Sequence, residues 1–229
     1  ISSEEEVAIS NYATVNHLGG TVSSNATSKV TVVNAAAGSY TLSGGSITSS
    51  ASNAFSNLGT FVMTSGTVTT DGNYPTYVNN GGTATFQGGN IIQSQNNNSL
   101  VYNLVGTTTI DGINLANKSV AIQNGDSDNT TAILNINSGT ISSEEDLAII
   151  NYATVNHSDG TVSSNSTSKV AVYNSATGSY TLSGGTIKSL TNTVNNAGTF
   201  TMTSGTLTND DVDYSTYYNN GGTATFQGG

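Results

Sequence analysis

Asparagine recurs along this chain about every 23 residues, and this period limits the possible fold more than any other feature of the sequence. The ten residues that mark it are Asn11, Asn34, Asn57, Asn80, Asn103, Asn124, Asn151, Asn174, Asn196 and Asn220. Two positions before each stands an apolar or aromatic residue: Ile9, Val32, Phe55, Val78, Val101, Ile122, Ile149, Val172, Val194 and Tyr218. Because residues two apart share one face of a strand, each pair predicts a short strand with both side chains turned inward.

Each period contains two further strand patterns. The segment after the Asn carries alternating pairs, namely Tyr40 and Leu42, Phe61 and Met63, Ala84 and Phe86, Thr108 and Ile110, Leu134 and Ile136. A Ser-Gly or Gly-Gly turn follows, and then a third strand with one inward aliphatic residue: Val22, Ile47, Val68, Ile91, Leu115, Ile141, Val162, Ile187 or Leu207. Three strands and three turns per period are typical of one coil of a parallel β-helix. We therefore predict an all-β, right-handed, three-stranded β-solenoid of about ten coils, each of 20–27 residues.

A longer repeat encloses the short one. Residues 1–89 align with residues 141–229 at an offset of 140, and 63 of 88 aligned positions are identical. We expect one solenoid domain over 1–229, with a first copy at 1–140 and a partial second copy at 141–229. A duplication this close indicates an array whose length is useful in itself, of which this chain would be a fragment.

Charge and composition exclude several classes of partner and cofactor. Four Lys, no Arg and fourteen acidic residues give a net charge of −10, so the chain cannot assemble the basic surface that nucleic acid requires. The same charge opposes binding to an anionic membrane, and no apolar run is long enough to insert into one. Without Cys, there are neither disulfides nor thiolate metal sites.

Two polar residue types fall at positions predicted to face inward. The Asn column is interpreted as a structural ladder, in which stacked amides bond to one another and to the turn backbone. His17 and His157 fall in the column otherwise held by residues such as Leu42 and Met63, so they are interpreted as core or turn residues. No catalytic, cofactor-binding or metal-binding residue is predicted.

Acidic residues gather between the third strand and the Asn-bearing strand, which predicts one acidic edge along the rod. Tyrosines lie in the same turns, and an aromatic ring beside polar acceptors can hold a sugar or a protein loop. The candidate ligand-binding residues are Glu4, Glu5, Glu6, Asp71, Tyr74, Tyr77, Glu144, Glu145, Asp146, Asp210, Asp211, Asp213, Tyr214 and Tyr217. Two alternatives stay open: a solvated turn that tolerates insertions, and Ca²⁺ held between the acids, although known calcium-loop spacings are missing.

The strings at 38–48, GSYTLSGGSIT, and 57–69, NLGTFVMTSGTVT, carry a family resemblance. The pattern resembles the pectin-lyase-like β-helical repeats of large bacterial adhesins and autotransporter passenger regions, and it covers the whole chain. This resemblance implies an extracellular, cell-attached protein that acts in adhesion, aggregation or spacing, with a host or bacterial glycan or protein as partner.

β-Helices also include polysaccharide-cleaving enzymes, but the residues here do not favour catalysis. Hydrolysis needs a fixed pair of carboxylates, and lyases of this fold generally need a basic residue beside Ca²⁺-binding acids. Arg is absent, and Lys29, Lys118, Lys169 and Lys188 have no recurring acidic pattern around them in the sequence. We therefore expect a non-catalytic protein.

Outward Thr residues suggest one other function. Thr60, Thr83, Thr85, Thr107, Thr109, Thr199, Thr201, Thr223 and Thr225 are predicted to stack on one face, and Thr21, Thr67, Thr69, Thr206 and Thr208 on another. Such Thr-x-Thr arrays look like those of ice-binding β-solenoids. Val62, Ile133, Asn135 and Asn156 interrupt the first array, and Ile92 and Lys188 the second; strand propensity and solubility also explain exposed Thr.

Overall fold

The chain is built from strands and turns, with no helix, in a computed structural model that describes all 229 residues. The strands are β1 (Ser2–Ser3), β2 (Ile9–Asn11), β3 (Thr14–His17), β4 (Thr21–Ser24), β5 (Val32–Asn34), β6 (Ser39–Ser49), β7 (Phe55–Asn57), β8 (Thr60–Thr70), β9 (Tyr77–Phe86), β10 (Asn90–Gln93), β11 (Val101–Asn117), β12 (Ile122–Asn124), β13 (Ile133–Ser143), β14 (Ile149–Asn151), β15 (Thr154–His157), β16 (Thr161–Ser164), β17 (Val172–Asn174), β18 (Ser179–Leu182), β19 (Thr186–Ser189), β20 (Val194–Asn196), β21 (Thr199–Met202), β22 (Thr206–Asn209), β23 (Tyr217–Asn219) and β24 (Thr223–Phe226).

Strands pair in parallel with their equivalents one coil away. Ile9 lies opposite Val32, and Val32 lies opposite Phe55, so the first strands of successive coils stack in register. The coils are β2–β4, β5–β6, β7–β8, β9–β10, β11, β12–β13, β14–β16, β17–β19, β20–β22 and β23–β24. The prediction of a parallel β-solenoid of about ten coils is confirmed. We call the outer sides of the first, second and third strands of the coils the first, second and third faces.

The hydrophobic core is a narrow column of 36 buried residues that runs along the inside of the coils. Phe55, Phe61 and Met63 are fully buried, as the alternating pattern predicts, while Thr60 on the second face is exposed. The ring of Phe55 lies 4.4 Å from that of Phe61 and 5.1 Å from that of Tyr40. Side chains therefore pack across coils as well as within them.

A ladder of asparagine side chains runs through all ten coils. Its members are Asn11, Asn34, Asn57, Asn79, Asn103, Asn124, Asn151, Asn174, Asn196 and Asn219. The amide nitrogen of each donates to the side-chain oxygen of the next, as from Asn11 to Asn34 at 2.8 Å. The same nitrogen also donates to backbone carbonyls, such as that of Thr60 from Asn34 at 2.9 Å. The ladder thus satisfies a buried amide in nearly every coil, which is what burial of a polar group requires.

At two places in the ladder the predicted asparagine was wrong, and the asparagine one position earlier in the chain takes its place. Asn79 and Asn219 take the inward positions that the sequence pattern assigned to Asn80 and Asn220, because the turn after them is one residue longer than in the preceding coil. Gly81 has a φ of 113° in this turn, a conformation that a side chain would strain. Tyr77 consequently replaces Val78 as the inward residue, and Tyr217 likewise replaces Tyr218.

A second polar column, which the sequence analysis did not predict, lies at the inner end of the third strands. Its buried members are Ser24, Ser49, Thr70, Gln93, Asn117, Ser143, Ser164 and Ser189. They bond to the backbone of the equivalent turn one coil earlier: Ser24 donates to the carbonyl of Glu6 at 3.1 Å, and Gln93 to that of Gly72 at 2.9 Å. Short polar residues at this corner therefore close each coil.

Both histidines lie inside the solenoid, as predicted. Nδ1 of His17 lies 2.9 Å from the hydroxyl of Tyr40, and Nδ1 of His157 lies 2.9 Å from the hydroxyl of Tyr180. Burial lowers the pKa of His157 to about 4, so the ring is neutral at pH 7. The arrangement suits a tyrosine hydroxyl that donates to Nδ1, with Nε2 facing a backbone carbonyl 3.4 Å away.

Candidate functional site

The predicted acidic edge exists, but its acids form separate groups. Residues 4–6, Asp71, 144–146 and 210–213 all lie in turns between a third strand and the next first strand. These turns precede coils one, four, seven and ten, so neighbouring groups are separated by about 14 Å at the usual strand spacing. No single ligand of small size could contact two groups at once.

Three of the four lysines pair with carboxylates of this edge, a pattern that the sequence analysis missed. Lys29 lies 4.0 Å from Glu6, Lys118 lies 3.9 Å from Glu145, and Lys188 lies 2.9 Å from Asp210. The partners are far apart in sequence but lie on adjacent coils, which is why sequence spacing did not reveal them. All these side chains are substantially exposed, so each pair contributes little to stability.

The tyrosines of the predicted binding edge divide into two kinds. Tyr74 and Tyr214 are exposed, as a ligand platform requires. Tyr77 is fully buried, with its ring 5.1 Å from that of Phe61, and Tyr217 also points inward, with its ring 5.2 Å from that of Phe200. Assigning Tyr77 and Tyr217 to a binding edge was therefore wrong, because both occupy the inward position of a first strand.

Only one surface recess brings several residues of the acidic edge together. It has a volume of about 330 Å³ and is lined by Thr167, Leu190, Asp210, Asp211, Val212 and Tyr214. One of its carboxylates, that of Asp210, is already paired with Lys188. No group of three or more His, Cys, Asp or Glu side chains in the chain is arranged to hold a metal ion.

The first face differs from the second face in its chemistry. Its outward residues, in coil order, are Ser10, Val33, Ser56, Val78, Tyr102, Gln123, Ile150, Tyr173, Asn195 and Tyr218. The second face, in contrast, carries Ser, Thr or Asn at every outward position except Val62 and Ile133. Apolar and aromatic residues that point to solvent on neighbouring strands are a signal of binding. This signal lies in the outward residues of these strands, whereas the sequence prediction rested on the inward ones.

A recess of about 410 Å³ lies on the first face of the middle coils. Its lining residues are Asn53, Tyr74, Pro75, Val78, Asn98, Tyr102 and Gln123, and we call it the Tyr74–Tyr102 recess. Of the residues predicted from sequence, only Tyr74 lines it. The volume lies within the range typical of small-molecule sites in proteins.

A hydrogen bond fixes one wall of this recess. The hydroxyl of Tyr102 donates to the carboxylate of Asp126, which also accepts backbone hydrogen bonds from Asp128 and Asn129 at 2.9 and 2.8 Å. Burial, with the neighbouring carboxylate as a further cause, raises the pKa of Tyr102; the hydrogen bond from Tyr102 lowers the pKa of Asp126. The tyrosine therefore keeps its proton and its orientation at neutral pH.

Comparisons with known proteins do not assign a function to this chain. No protein-family model, curated protein sequence or solved structure matches it. The chain contains no helix that could span a membrane.

Proposed function

We propose that this chain is part of a non-catalytic stalk of a bacterial cell-surface protein, located outside the cell and attached to it. The stalk holds a binding function away from the cell, and it also forms an extended surface for glycans or proteins of a host or a neighbouring cell. This is the role that the family resemblance implies.

The observation that carries this proposal is the continuity of the solenoid across the junction between the two copies. Asn124 of the first copy donates to Asn151 of the second at 2.8 Å, and Ile136 lies directly opposite His157 in the paired strands. One 140-residue unit comprises six coils and advances the rod by about 29 Å. Units can therefore be added in series without a break, and length becomes a property that duplication can adjust.

A length measurement tests the stalk. Arrays of one, two and three units are placed between a surface anchor and an antibody tag, and the height of the tag is measured by atomic force microscopy. We expect equal steps of about 29 Å per unit. Flexible Gly/Ser linkers with the same numbers of residues serve as controls, and their extension grows only with the square root of length. Array heights that follow the linker curve would rule out a rigid stalk.

An activity assay tests the non-catalytic part of the proposal. The purified chain is incubated with pectin, polygalacturonate and other uronic-acid polymers, with and without Ca²⁺. We expect no product above background. Steady product release that is lost on substitution of Asp210 or Asp211 would show that the acidic recess is an active site.

The second face favours one other function, ice binding. Thr83 lies opposite Thr107, and Thr199 lies opposite Thr223, so hydroxyls stack in register over neighbouring coils. Val62 and Ile133 interrupt the columns. Thermal hysteresis of the purified chain would establish this function, and its absence would exclude it.

A further inference from the structure

The Tyr74–Tyr102 recess combines an apolar wall with a polar rim. The wall consists of Tyr74, Pro75, Val78 and Tyr102. Aromatic and aliphatic surface of this kind packs against the C–H side of a pyranose ring, while its hydroxyl groups need hydrogen-bond partners at the edge. A site for a sugar must therefore offer both kinds of surface side by side.

The rim supplies three amides whose orientation is set by bonds to the backbone. The Asn53 nitrogen donates to the carbonyl of Pro75 at 2.6 Å, and the Gln123 nitrogen donates to that of Gly125 at 3.2 Å. Both side-chain oxygens are left as acceptors without a protein partner. The Asn98 oxygen accepts from the backbone nitrogen of Ser99 at 2.9 Å, which leaves its NH₂ group as a donor. Acceptors and a donor at one edge complement hydroxyl groups, which both donate and accept.

Charge selects between kinds of sugar. No charged residue lines the recess, and the nearby carboxylate of Asp126 is bonded to Tyr102. The chain as a whole has a net charge of −10. An anionic sugar would be repelled, and a cation would find no carboxylate in the lining to pair with. A neutral sugar fits both conditions.

The wall residues Val78 and Tyr102 lie on paired strands, so the recess is formed before any ligand arrives. A preformed site loses less conformational entropy on binding than a flexible loop does. We propose that the Tyr74–Tyr102 recess binds a neutral hexose unit of a glycan, with the ring against Tyr74 and Tyr102 and its hydroxyls on the three amides. This proposal rests on the adhesive part of the proposed function, to which it gives a ligand and a location. We expect a dissociation constant of about 1 mM for one hexose, which is ordinary for a ligand of that size.

Titration followed by amide NMR tests the site. The probes are methyl glycosides of glucose, galactose, mannose and N-acetylglucosamine, with glucuronic acid and sialic acid glycosides as anionic comparisons. We expect at least one neutral probe to shift the amide signals of Tyr102 and Asn98. Binding should weaken about tenfold in Asn98→Asp, which keeps the acceptor and loses the donor, and at least tenfold in Tyr102→Ala. Tyr173→Ala removes a tyrosine from the same face three coils away and should leave binding unchanged.

Several results would overturn the proposal. These are no shift with any probe at about 50 mM, well above the expected affinity; a preference for the anionic sugars; and binding that Tyr102→Ala leaves intact while the urea midpoint shows a folded protein. The stalk is tested apart from the recess, by measuring tag heights for wild-type arrays. Equal steps of about 29 Å, together with no amide shift for any probe, would reject the recess and retain the stalk.

Discussion

The side-chain nitrogen of Asn124 lies 2.8 Å from the side-chain oxygen of Asn151, and this hydrogen bond joins the two copies of the 140-residue unit. The two residues are 27 positions apart, the widest step in the ladder, because the turn after Asn124 is extended. The extra residues are accommodated outside the core, where Asp126 and Asn129 bond to one another. Insertions of this kind can therefore change the surface of a coil without disturbing its stacking.

Replacing ladder residue Asn79 tests the register of the fourth coil. Asn79→Ala leaves the amide of Asn57 and the side-chain oxygen of Asn103 without their ladder partner, so we expect a loss of about 3 kcal/mol in the free energy of unfolding. Asn80→Ala, one residue further on and exposed, should change it by less than about 0.5 kcal/mol. Urea unfolding of both variants measures the difference, and the reverse order would return Asn80 to the ladder.

Replacing Phe55 tests which residues of these strands point into the core. Phe55→Ala removes a fully buried ring that contacts rings in three coils, and we expect a cost of about 3–5 kcal/mol. Thr60→Ala changes an exposed residue and should stay within about 0.5 kcal/mol. If both urea midpoints fall equally, the assignment of inward and outward residues on these strands is incorrect.

Removing the hydroxyl groups of two buried tyrosines should change the stability of the protein in opposite directions. The hydroxyl of Tyr77 has no hydrogen-bond partner, and the nearby amide of Asn57 already donates to Asn79 and Gly59. Tyr77→Phe should therefore stabilise the fold by about 1 kcal/mol, since an unpaired buried polar group is costly. Tyr40→Phe deletes the bond to His17 and should destabilise it by about 1 kcal/mol. Thermal unfolding distinguishes the two, and a destabilised Tyr77→Phe would reveal a partner for its hydroxyl.

Acid should destabilise the protein in part through His157. Burial lowers its folded pKa to about 4, while the unfolded value is about 6.5, so the unfolded chain binds a proton more readily between these values. The contribution of the neutral ring to stability is complete above about pH 6.5, falls as the pH drops toward 4, and amounts to about 3 kcal/mol. The carboxylate of Asp159 opposes this shift without cancelling it.

A double variant isolates that contribution. His157→Leu with Tyr180→Phe places at each position the residue type found directly opposite it in the next coil, Leu182 and Phe200. Relative to this variant, the free energy of unfolding of the wild type should fall between about pH 6.5 and pH 4 and should not change at other pH values. If the free energies of unfolding of the two proteins change in parallel over that pH interval, His157 does not titrate as described.

Strand order, coil number and the inward residues of most strands could be predicted from the sequence. Alternation at Phe61 and Met63 places both on one side of a strand whatever surrounds it, because the backbone itself sets the period of two. The position of the acidic groups followed in the same way, since Asp71 and Glu144 stand between two recognisable strands. Local pattern was enough wherever only one phase of alternation buried an apolar residue.

The segment Tyr77-Val78-Asn79-Asn80 offered two phases, and only the tertiary structure decided between them. Either phase puts an apolar side chain and an amide on the same face; the choice depends on how Tyr77 packs against Phe55 and Phe86 in neighbouring coils. A shift of one residue exchanges the two faces of a strand completely, so this choice also turned Val78 outward. The Tyr74–Tyr102 recess could not be predicted from the sequence either. Its residues come from four consecutive coils of unequal length, and only the stacking of these coils brings them together, so no regular spacing along the chain indicates the recess.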